Sequence, residues 1–322
     1  MVIKLRGYTD TPSIVRILGR RKMAKRDLHK EISENIISLI ESEKTGIWSK
    51  DWDNSNNLGS FDPRNATTNK CYNGINRLIL ALTALEENYT QNLWVTYKQA
   101  QAEGWQVKKG SKGVTLCYYS KYEKDTEEGE KKEYFFLKSF TVFNVSQLDN
   151  YKAKFDNEKQ LQAPENCEAV KTILANTDVK FGIEQGDKAF YAPSLDAIQM
   201  PPKATFKSES GYYATLLHEL THSTMHEKRL QRGKEYREKY SDSKERYARE
   251  ELVAELGSAF LCAEIGCINE TLENHASYLK VWLKVIKSDK KAIFKASSDA
   301  QKAADFILKN WAGKAEEIEE AV

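Results

Sequence analysis

The feature that most constrains the fold of this chain is the stretch His218-Glu219-Leu220-Thr221-His222, which has the pattern H-E-x-x-H. On an α-helix, residues four apart lie on one face, about 6 Å apart along the axis. Two imidazoles at that spacing can reach a single metal ion, while Glu219 lies on a neighbouring face beside the ion. The chain has only 5 histidines, which disfavours a surface helix with two unrelated ones. The pattern therefore predicts a helix that carries a metal site.

The same residues are suited to metal-assisted hydrolysis of a peptide bond. In that chemistry Zn²⁺ lowers the pKa of a bound water, and Glu219 accepts the proton as general base. The activated water then attacks a carbonyl, and the metal shares the oxyanion with a protein donor. Tyr247 and His226 are both candidates for that donor, and the sequence does not choose between them.

A catalytic zinc usually has three protein ligands, so two histidines leave one ligand to be found. His226 continues the series at i+4, but on a straight helix it lies about 12 Å from His218 along the axis. Both cannot bind one ion through bonds of about 2 Å. The segment 250–255 (E-E-L-V-A-E) offers Glu251 and Glu255, four apart on one helix face. Either acid can be the ligand, and both can instead be solvated acids of an amphipathic helix.

Length and composition limit the class of protein. The 322 residues suffice for two ordinary domains, and 40% apolar with 30% charged residues is typical of a soluble globular chain. No apolar run is long enough for a transmembrane helix, and Met1–Thr11 lacks the apolar core of a signal peptide. We therefore expect a cytoplasmic protein without a membrane partner. The 5 cysteines are scattered, which predicts reduced thiols rather than a disulfide framework or a zinc ribbon.

The order of patterns predicts a two-domain protein of the α+β class. Thr96 and Gln99 form a capping box that begins a short helix. Residues 197–202 predict a strand whose prolines either stop it or mark a sheet edge. An edge strand beside the metal helix is where a peptide substrate can add as another strand. The predicted segments are a basic arm at 1–26, an α+β domain at 27–150, a polar linker at 151–165, a domain with a small sheet and the H-E-x-x-H helix at 166–312, and an acidic tail at 313–322.

The N-terminal half carries polar and basic residues suited to a nucleic acid. The net charge of +2 does not demand such a partner, so the distribution of charge matters more. Segment 63–77 is dense in Asn, Thr and Arg, which can hold phosphates near a helix start, and its Tyr can stack on a base. The basic turn 108–113 lies among aromatic residues, as in proteins that bind single-stranded DNA. The alternatives are a long turn ending in a helix cap, and aromatic residues that fill the core beside solvated lysines.

The predicted contacts to single-stranded DNA are polar, basic and aromatic side chains of these segments and of the helix that follows Thr96. They are Arg64, Asn65, Thr67, Lys70, Tyr72, Asn76, Arg77, Lys98, Lys108, Lys109 and Lys112.

Motifs in both halves, taken in order, resemble the ArdC-type antirestriction proteins of conjugative plasmids and other mobile elements. The matching segments lie at 63–70, 72–76, 94–99, 107–113, 142–145, 213–222, 229–230 and 247–255. The resemblance covers residues 27 to about 265. It implies an N-terminal domain that binds single-stranded DNA without sequence preference and a C-terminal zincin-like metallopeptidase domain. The role it implies is protection of incoming DNA from restriction.

The pattern E-x-x-A-E that begins at Glu251 also resembles the arrangement in gluzincins, where the first acid binds zinc and the second contacts a ligand histidine. Carried over, Glu251 is the third zinc ligand, and Glu255 accepts the outer ring N–H of His218 or His222. Two other interpretations stay open. One is a protein that coats single-stranded DNA and has a structural or vestigial zincin domain, and the other is an intracellular zinc peptidase with no DNA role.

Overall fold

The computed structural model describes residues 26–41, 62–125, 131–155, 168–182, 186–266 and 276–312, and for residues 122–125, 131–134 and 276–281 it describes the backbone alone. The predicted arm up to residue 25, the acidic tail 313–322 and residues 156–165 of the predicted linker lie outside the described part.

The elements follow the chain in two groups. The N-terminal half contains α1 (Leu28–Glu41), β1 (Arg64–Asn65), α2 (Gly74–Glu86), β2 (Leu93–Thr96), α3 (Tyr97–Ala102), β3 (Gln106–Val107), β4 (Val114–Asp125), β5 (Lys131–Asn144) and β6 (Leu148–Asp149). The C-terminal half contains α4 (Glu168–Asn176), β7 (Lys180–Gly182), β8 (Phe190–Ala192), β9 (Ala197–Gln199), α5 (Glu209–Ser223), α6 (Arg232–Lys239), α7 (Ser243–Ile265), α8 (Ala276–Ser288) and α9 (Ala292–Asn310).

The main sheet of the N-terminal half has the strand order β1-β2-β5-β4. Strands β4 and β5 form a long antiparallel hairpin, paired from Val114 opposite Val142 onward. The outer edge of β4 is covered at one point by Asn76, whose side chain donates to Cys117 O at 2.7 Å and accepts from Cys117 N at 3.0 Å. A polar side chain that satisfies an exposed strand edge protects it from pairing with another chain.

One hydrophobic core runs through both halves. Ile36, Ile79 and Trp94 of the N-terminal half lie in the same cluster of buried side chains as Leu217 and Phe260 of the C-terminal half. Burial of apolar side chains drives folding, and each large one contributes about 1.5–3 kcal/mol. The metal helix and the main sheet are therefore stabilised by common packing.

The small sheet of the C-terminal half has the order β7-β9-β8, with β7 parallel and β8 antiparallel to β9. Of the two roles predicted for the prolines of residues 197–202, the strand stop is confirmed and the sheet edge is wrong. The strand stops at Gln199 and pairs on both sides, so Pro201 and Pro202 mark its end rather than a free edge. The edges belong to β7 and β8, and β8 packs against α5.

Two expectations from composition can be compared with the described residues. Cys71, Cys117 and Cys262 are free thiols, in agreement with the predicted absence of a disulfide framework there. None of the helices in the described ranges combines the length and the apolar character that crossing a bilayer requires.

Candidate metal centre

The H-E-x-x-H stretch lies on the last two turns of α5. Ser208 caps the start of this helix by accepting a hydrogen bond from Gly211 N at 3.0 Å. At its end the hydroxyl groups of Ser223 and Thr224 donate to the carbonyls of Leu220 and Thr221, each at 2.7 Å. The helix thus ends directly after the second histidine.

Helix α7 crosses behind α5 and brings Glu251 to the two histidines. The Nε2 atoms of His218 and His222 lie 3.1 Å apart. Glu251 Oε1 lies 3.3 Å from His222 Nε2, and Glu251 Oε2 lies 3.6 Å from His218 Nε2. Ligand atoms bound tetrahedrally at about 2 Å are a little over 3 Å apart, so these three groups fit one divalent ion. Two imidazoles and a carboxylate are also a donor set that such metals prefer.

Two further acids contact the outer nitrogens of the same rings. Glu255 Oε1 lies 3.1 Å from His218 Nδ1, which places Glu255 outside the triangle that Glu251 completes. Glu250 Oε1 lies 3.3 Å from His222 Nδ1. A carboxylate at Nδ1 fixes the orientation and tautomer of an imidazole so that Nε2 is free to bind a metal.

Glu250 is itself held by Arg232, the first residue of α6. The guanidinium donates to Glu250 from Nε at 2.8 Å and from Nη2 at 2.6 Å, and from Nη1 to Thr224 Oγ1 at 3.1 Å. Burial raises the pKa of Glu250, but Arg232 outweighs burial and leaves that pKa below its ordinary value. The sequence analysis missed both residues, and the only available signal was that Glu250 directly precedes Glu251.

The cluster is strongly coupled electrostatically. Burial lowers the pKa of His222, but hydrogen bonds with Glu250 and Glu251 outweigh it and raise this pKa to about 9. Burial likewise opposes charge on His218, and Glu255 raises its pKa above the ordinary value. Burial raises the pKa of Glu251, yet the two histidines bring it below its ordinary value. Protons therefore compete with a metal for this site.

Three other predicted residues lie on the two helices that carry the cluster or just after one of them. Glu219 is buried, and its charge contributes to the raised pKa of His218. Tyr247 is exposed on α7, four residues before Glu251 and thus on the same helix face. The sequence predicts that the metal helix runs to about His226, but α5 ends at Ser223. His226 lies in the turn that follows, where its backbone N–H donates to Ser223 O at 3.2 Å.

Several predicted DNA contacts of segment 63–77 instead hold the fold together. Asn65 Oδ1 accepts from Thr67 N at 2.9 Å and from Thr68 N at 3.1 Å, which organises the turn 65–68. Its amide nitrogen donates to Tyr72 OH at 3.2 Å, and both side chains are buried. Asn76 is engaged at the edge of β4, as described above. The prediction that Asn65, Tyr72 and Asn76 face a nucleic acid is therefore corrected.

Arg77 is fully buried and joins the two halves, so its prediction as a DNA contact is wrong. Its Nη2 donates to Phe260 O at 3.2 Å, its guanidinium lies 4.6 Å from the centre of the Phe260 ring, and its Nη1 lies 3.3 Å from Glu264. Arg64 is also turned to protein groups: it donates to Asp62 at 2.9 Å and to Asn69 O at 3.0 Å.

The remaining predicted contacts are accessible. Thr67 is half-buried, and five lysines are exposed, namely Lys70, Lys98, Lys108, Lys109 and Lys112. The alternative that the aromatic residues near the basic turn fill the core is wrong for Phe135, which is 65% exposed on the β4–β5 hairpin, and Tyr119 on the same hairpin is 59% exposed.

Each half of the chain matches a known protein family. Residues 168–299 match the family described as zincin-like metallopeptidase, and residues 26–143 match the N-terminal domain of the anti-restriction factor ArdC. The chain is thus a two-domain α+β protein whose second domain has the fold of a zincin-like metallopeptidase, which confirms the predicted fold class. That fold implies a bound metal ion.

The family follows from the similarity to two solved structures. The metal-free crystal structure of the antirestriction protein ArdC from plasmid R388 has a TM-score of 0.73 and 38% sequence identity, over 90% of this chain and 100% of that one. Its Mn(II)-bound structure gives a TM-score of 0.71 and 36% identity, with the same 90% and 100% coverage. The chain belongs to the ArdC family of antirestriction proteins.

Three further relatives are similar to most of this chain. An uncharacterized protein, y4eC, of Sinorhizobium fredii (strain NBRC 101917 / NGR234) is 32% identical over 87% of this chain and 91% of its own length. DNA primase TraC of Escherichia coli is 35% identical over 88% of this chain, but the match spans only 27% of TraC. A second TraC of that species is 33% identical over 88% of this chain and 20% of its own length.

Proposed function

We propose that this antirestriction protein acts in the cytoplasm, binds single-stranded DNA without sequence preference, and hydrolyses peptide bonds at a zinc site. The observation that carries the proposal is the triangle of His218, His222 and Glu251 next to the buried Glu219. The proposal assigns DNA binding to residues 27–150 and the metal site to residues 166–312.

His218, His222 and Glu251 would hold Zn²⁺. When bound, zinc supplies Lewis acidity, which lowers the pKa of a coordinated water and polarises the scissile carbonyl. Glu219 accepts the proton of the attacking water and later delivers it to the leaving amine. Tyr247 is the candidate donor to the oxyanion, because it lies one helical turn from Glu251 on the same face.

A peptide substrate would add to the small sheet as another strand. The edge strand β8, Phe190–Ala192, supports this part of the proposal because it packs against the metal helix α5. Main-chain hydrogen bonds at such an edge hold an extended peptide whatever its side chains are. The scissile bond would then run beside the helix that carries Glu219.

Binding of DNA would use the exposed cations of the N-terminal half. Their ammonium groups attract phosphates regardless of the base sequence. Binding of this kind releases counterions from the DNA, and because that release is less favourable at high salt, the affinity falls as the salt concentration rises. These cations are Lys70, Lys98, Lys108, Lys109 and Lys112.

The test is a plasmid-transfer assay into a restricting host with wild-type protein and with Glu219→Gln, alongside zinc content and oligonucleotide affinity of both purified proteins. We expect the variant to keep zinc and DNA affinity but to lose protection. If protection survives with both kept, the protein acts by coating DNA and its zincin domain is structural. If wild-type protein shows no affinity for single-stranded DNA even at low salt, the zinc peptidase without a DNA role is the better interpretation.

A further inference from the structure

One face of the β4–β5 hairpin forms an exposed track that leads away from the basic turn 108–113. Residues directly opposite each other on antiparallel strands share a face, and alternate residues along a strand do so too. The pairs on this face are Thr115 with Thr141, Cys117 with Ser139, Tyr119 with Leu137, and Lys121 with Phe135. The exposed members, which define the β4–β5 track, are Thr141, Ser139, Tyr119, Lys121 and Phe135.

The far end of the track presents two aromatic rings to solvent. Tyr119 is 59% and Phe135 is 65% exposed. Tyr119 and Phe135 belong to neighbouring pairs and are related diagonally, and the Cα atoms of such residues lie roughly 7 Å apart. Tyr119 OH also lies 3.1 Å from His29 Nε2, which ties its ring to α1. Large exposed apolar groups on one surface indicate a binding site.

The charge of the track favours a polyanion. Residues 114–121 and 135–144 contain no acidic residue, and the acidic pair of Glu123 with Glu133 follows beyond the far end of the track. Lys112 lies just before the track, and Lys121 lies at its far end. Arg26, which is also paired with Glu31, lies with Nη1 3.5 Å from Ser139 Oγ beside the middle of the track. Hydroxyl groups and cations together are the usual partners of phosphate oxygens.

We propose that single-stranded DNA lies along the β4–β5 track, with bases stacked on Tyr119 and Phe135 and phosphates near Lys112 and Lys121. This inference rests on the proposed DNA binding and names its surface. The nine residue steps from Lys112 to Lys121 span roughly 30 Å, which is about nine nucleotides at a rise of about 3.4 Å and fewer in an extended strand. Affinity should therefore rise with oligonucleotide length up to about nine nucleotides and more slowly beyond.

The experiment measures affinity by fluorescence anisotropy with labelled oligothymidylates at several salt concentrations. Lengths from about 4 to about 20 nucleotides bracket the expected length of about nine. Tyr119→Ala and Phe135→Ala should each weaken binding about tenfold, with the salt dependence unchanged, because stacking rather than charge is lost. Tyr119→Phe keeps the ring and loses the contact with His29, so it should bind like wild type. Phe181→Ala is the matched control, because Phe181 is 43% exposed but lies on the small sheet.

Two outcomes overturn the proposal in different ways. If the variant with both Tyr119→Ala and Phe135→Ala melts like wild type and binds within about twofold of it, DNA binding stands but the track is not its surface. If wild-type protein binds none of the oligonucleotides at low salt, the proposed DNA binding itself fails. A loss of similar size in Phe181→Ala would also remove the β4–β5 track as the specific surface.

Discussion

Gly257 of α7 faces Thr221 of α5 between the two helices that carry the metal cluster. A Cβ atom at Gly257 would lie 2.5 Å from Thr221 Cγ2 and 3.0 Å from Thr221 Oγ1. Carbon–carbon contacts are normally about 3.5–4.0 Å, so Gly257→Ala would push the helices apart by about 1 Å. Metal sites tolerate about 0.2 Å in ligand distances. Glu251, on the same helix as Gly257, would then no longer meet His218 and His222 correctly.

The size of the effect follows from two opposing contributions. Overpacking a core costs about 1–3 kcal/mol, and alanine is favoured over glycine inside a helix by about 0.5–1 kcal/mol. We expect Gly257→Ala to lower the free energy of unfolding of the metal-free protein by roughly 1–2 kcal/mol. Displacement of a ligand also weakens metal binding, and we expect about a tenfold or larger loss of affinity. Urea unfolding and a competitive zinc titration measure the two quantities.

Thr221→Ala provides the control, because it removes both close atoms and leaves only Thr221 Cβ, at 3.4 Å from the added methyl group. In that background Gly257→Ala should be neutral or stabilising, and its effect on metal affinity should largely disappear. A double-mutant cycle isolates this coupling. Equal costs of Gly257→Ala in both backgrounds, or unchanged zinc affinity in the single variant, would refute the idea that this contact sets the helix spacing.

Three further predictions concern the ligands and their supports. Glu251→Ala should purify with far less zinc than Glu255→Ala when metal content is measured by mass spectrometry, and stoichiometric zinc in Glu251→Ala would show that Glu251 is not the ligand. Arg232→Met leaves Glu250 buried without its cation, so we expect a loss of about 3–5 kcal/mol in urea unfolding, with a smaller loss in a variant that also carries Glu250→Gln. The pKa of His222 is about 9 against an ordinary value of 6.5, so its contribution to metal-free stability is complete below about pH 6.5 and is lost as pH rises towards 9. Melting temperatures with a chelator should therefore fall over that range, whereas zinc affinity should rise as protons leave, and a flat melting profile would contradict the raised pKa.

Features of this protein that depend on neighbouring residues in the chain were predictable from the sequence. Thr96 caps α3 and Gln99 returns the bond, as the capping box predicts, because both partners lie within one turn. The distance between His218 and His222 is likewise fixed by the helical repeat alone. Such features need no knowledge of the tertiary structure.

Features that depend on packing were not predictable in the same way. Glu250 and Arg232 are 18 residues apart and meet only in the folded protein, where the start of α6 lies against α7. Composition does not show which way a side chain points, so Asn65 and Arg77 were equally suited to bind phosphates. In the structure Asn65 organises its own turn, and Arg77 is buried against Phe260. Phe135 suited a core, but its side chain is 65% exposed in the folded protein.

Side chains of the two predicted domains, on either side of the linker at 151–165, pack in one hydrophobic core. Arg77 of α2 reaches across to Phe260 and Glu264 near the end of α7, and Gly74 N donates to Gln301 Oε1 of α9 at 3.2 Å. Glu251 lies on the same α7 helix, so the segment that resembles the DNA-binding motif and a candidate metal ligand are joined by one buried element. An arginine that loses its carbonyl and carboxylate partners would leave a buried charge uncompensated, which costs several kcal/mol. The two domains therefore match two different families but stabilise each other through a shared core.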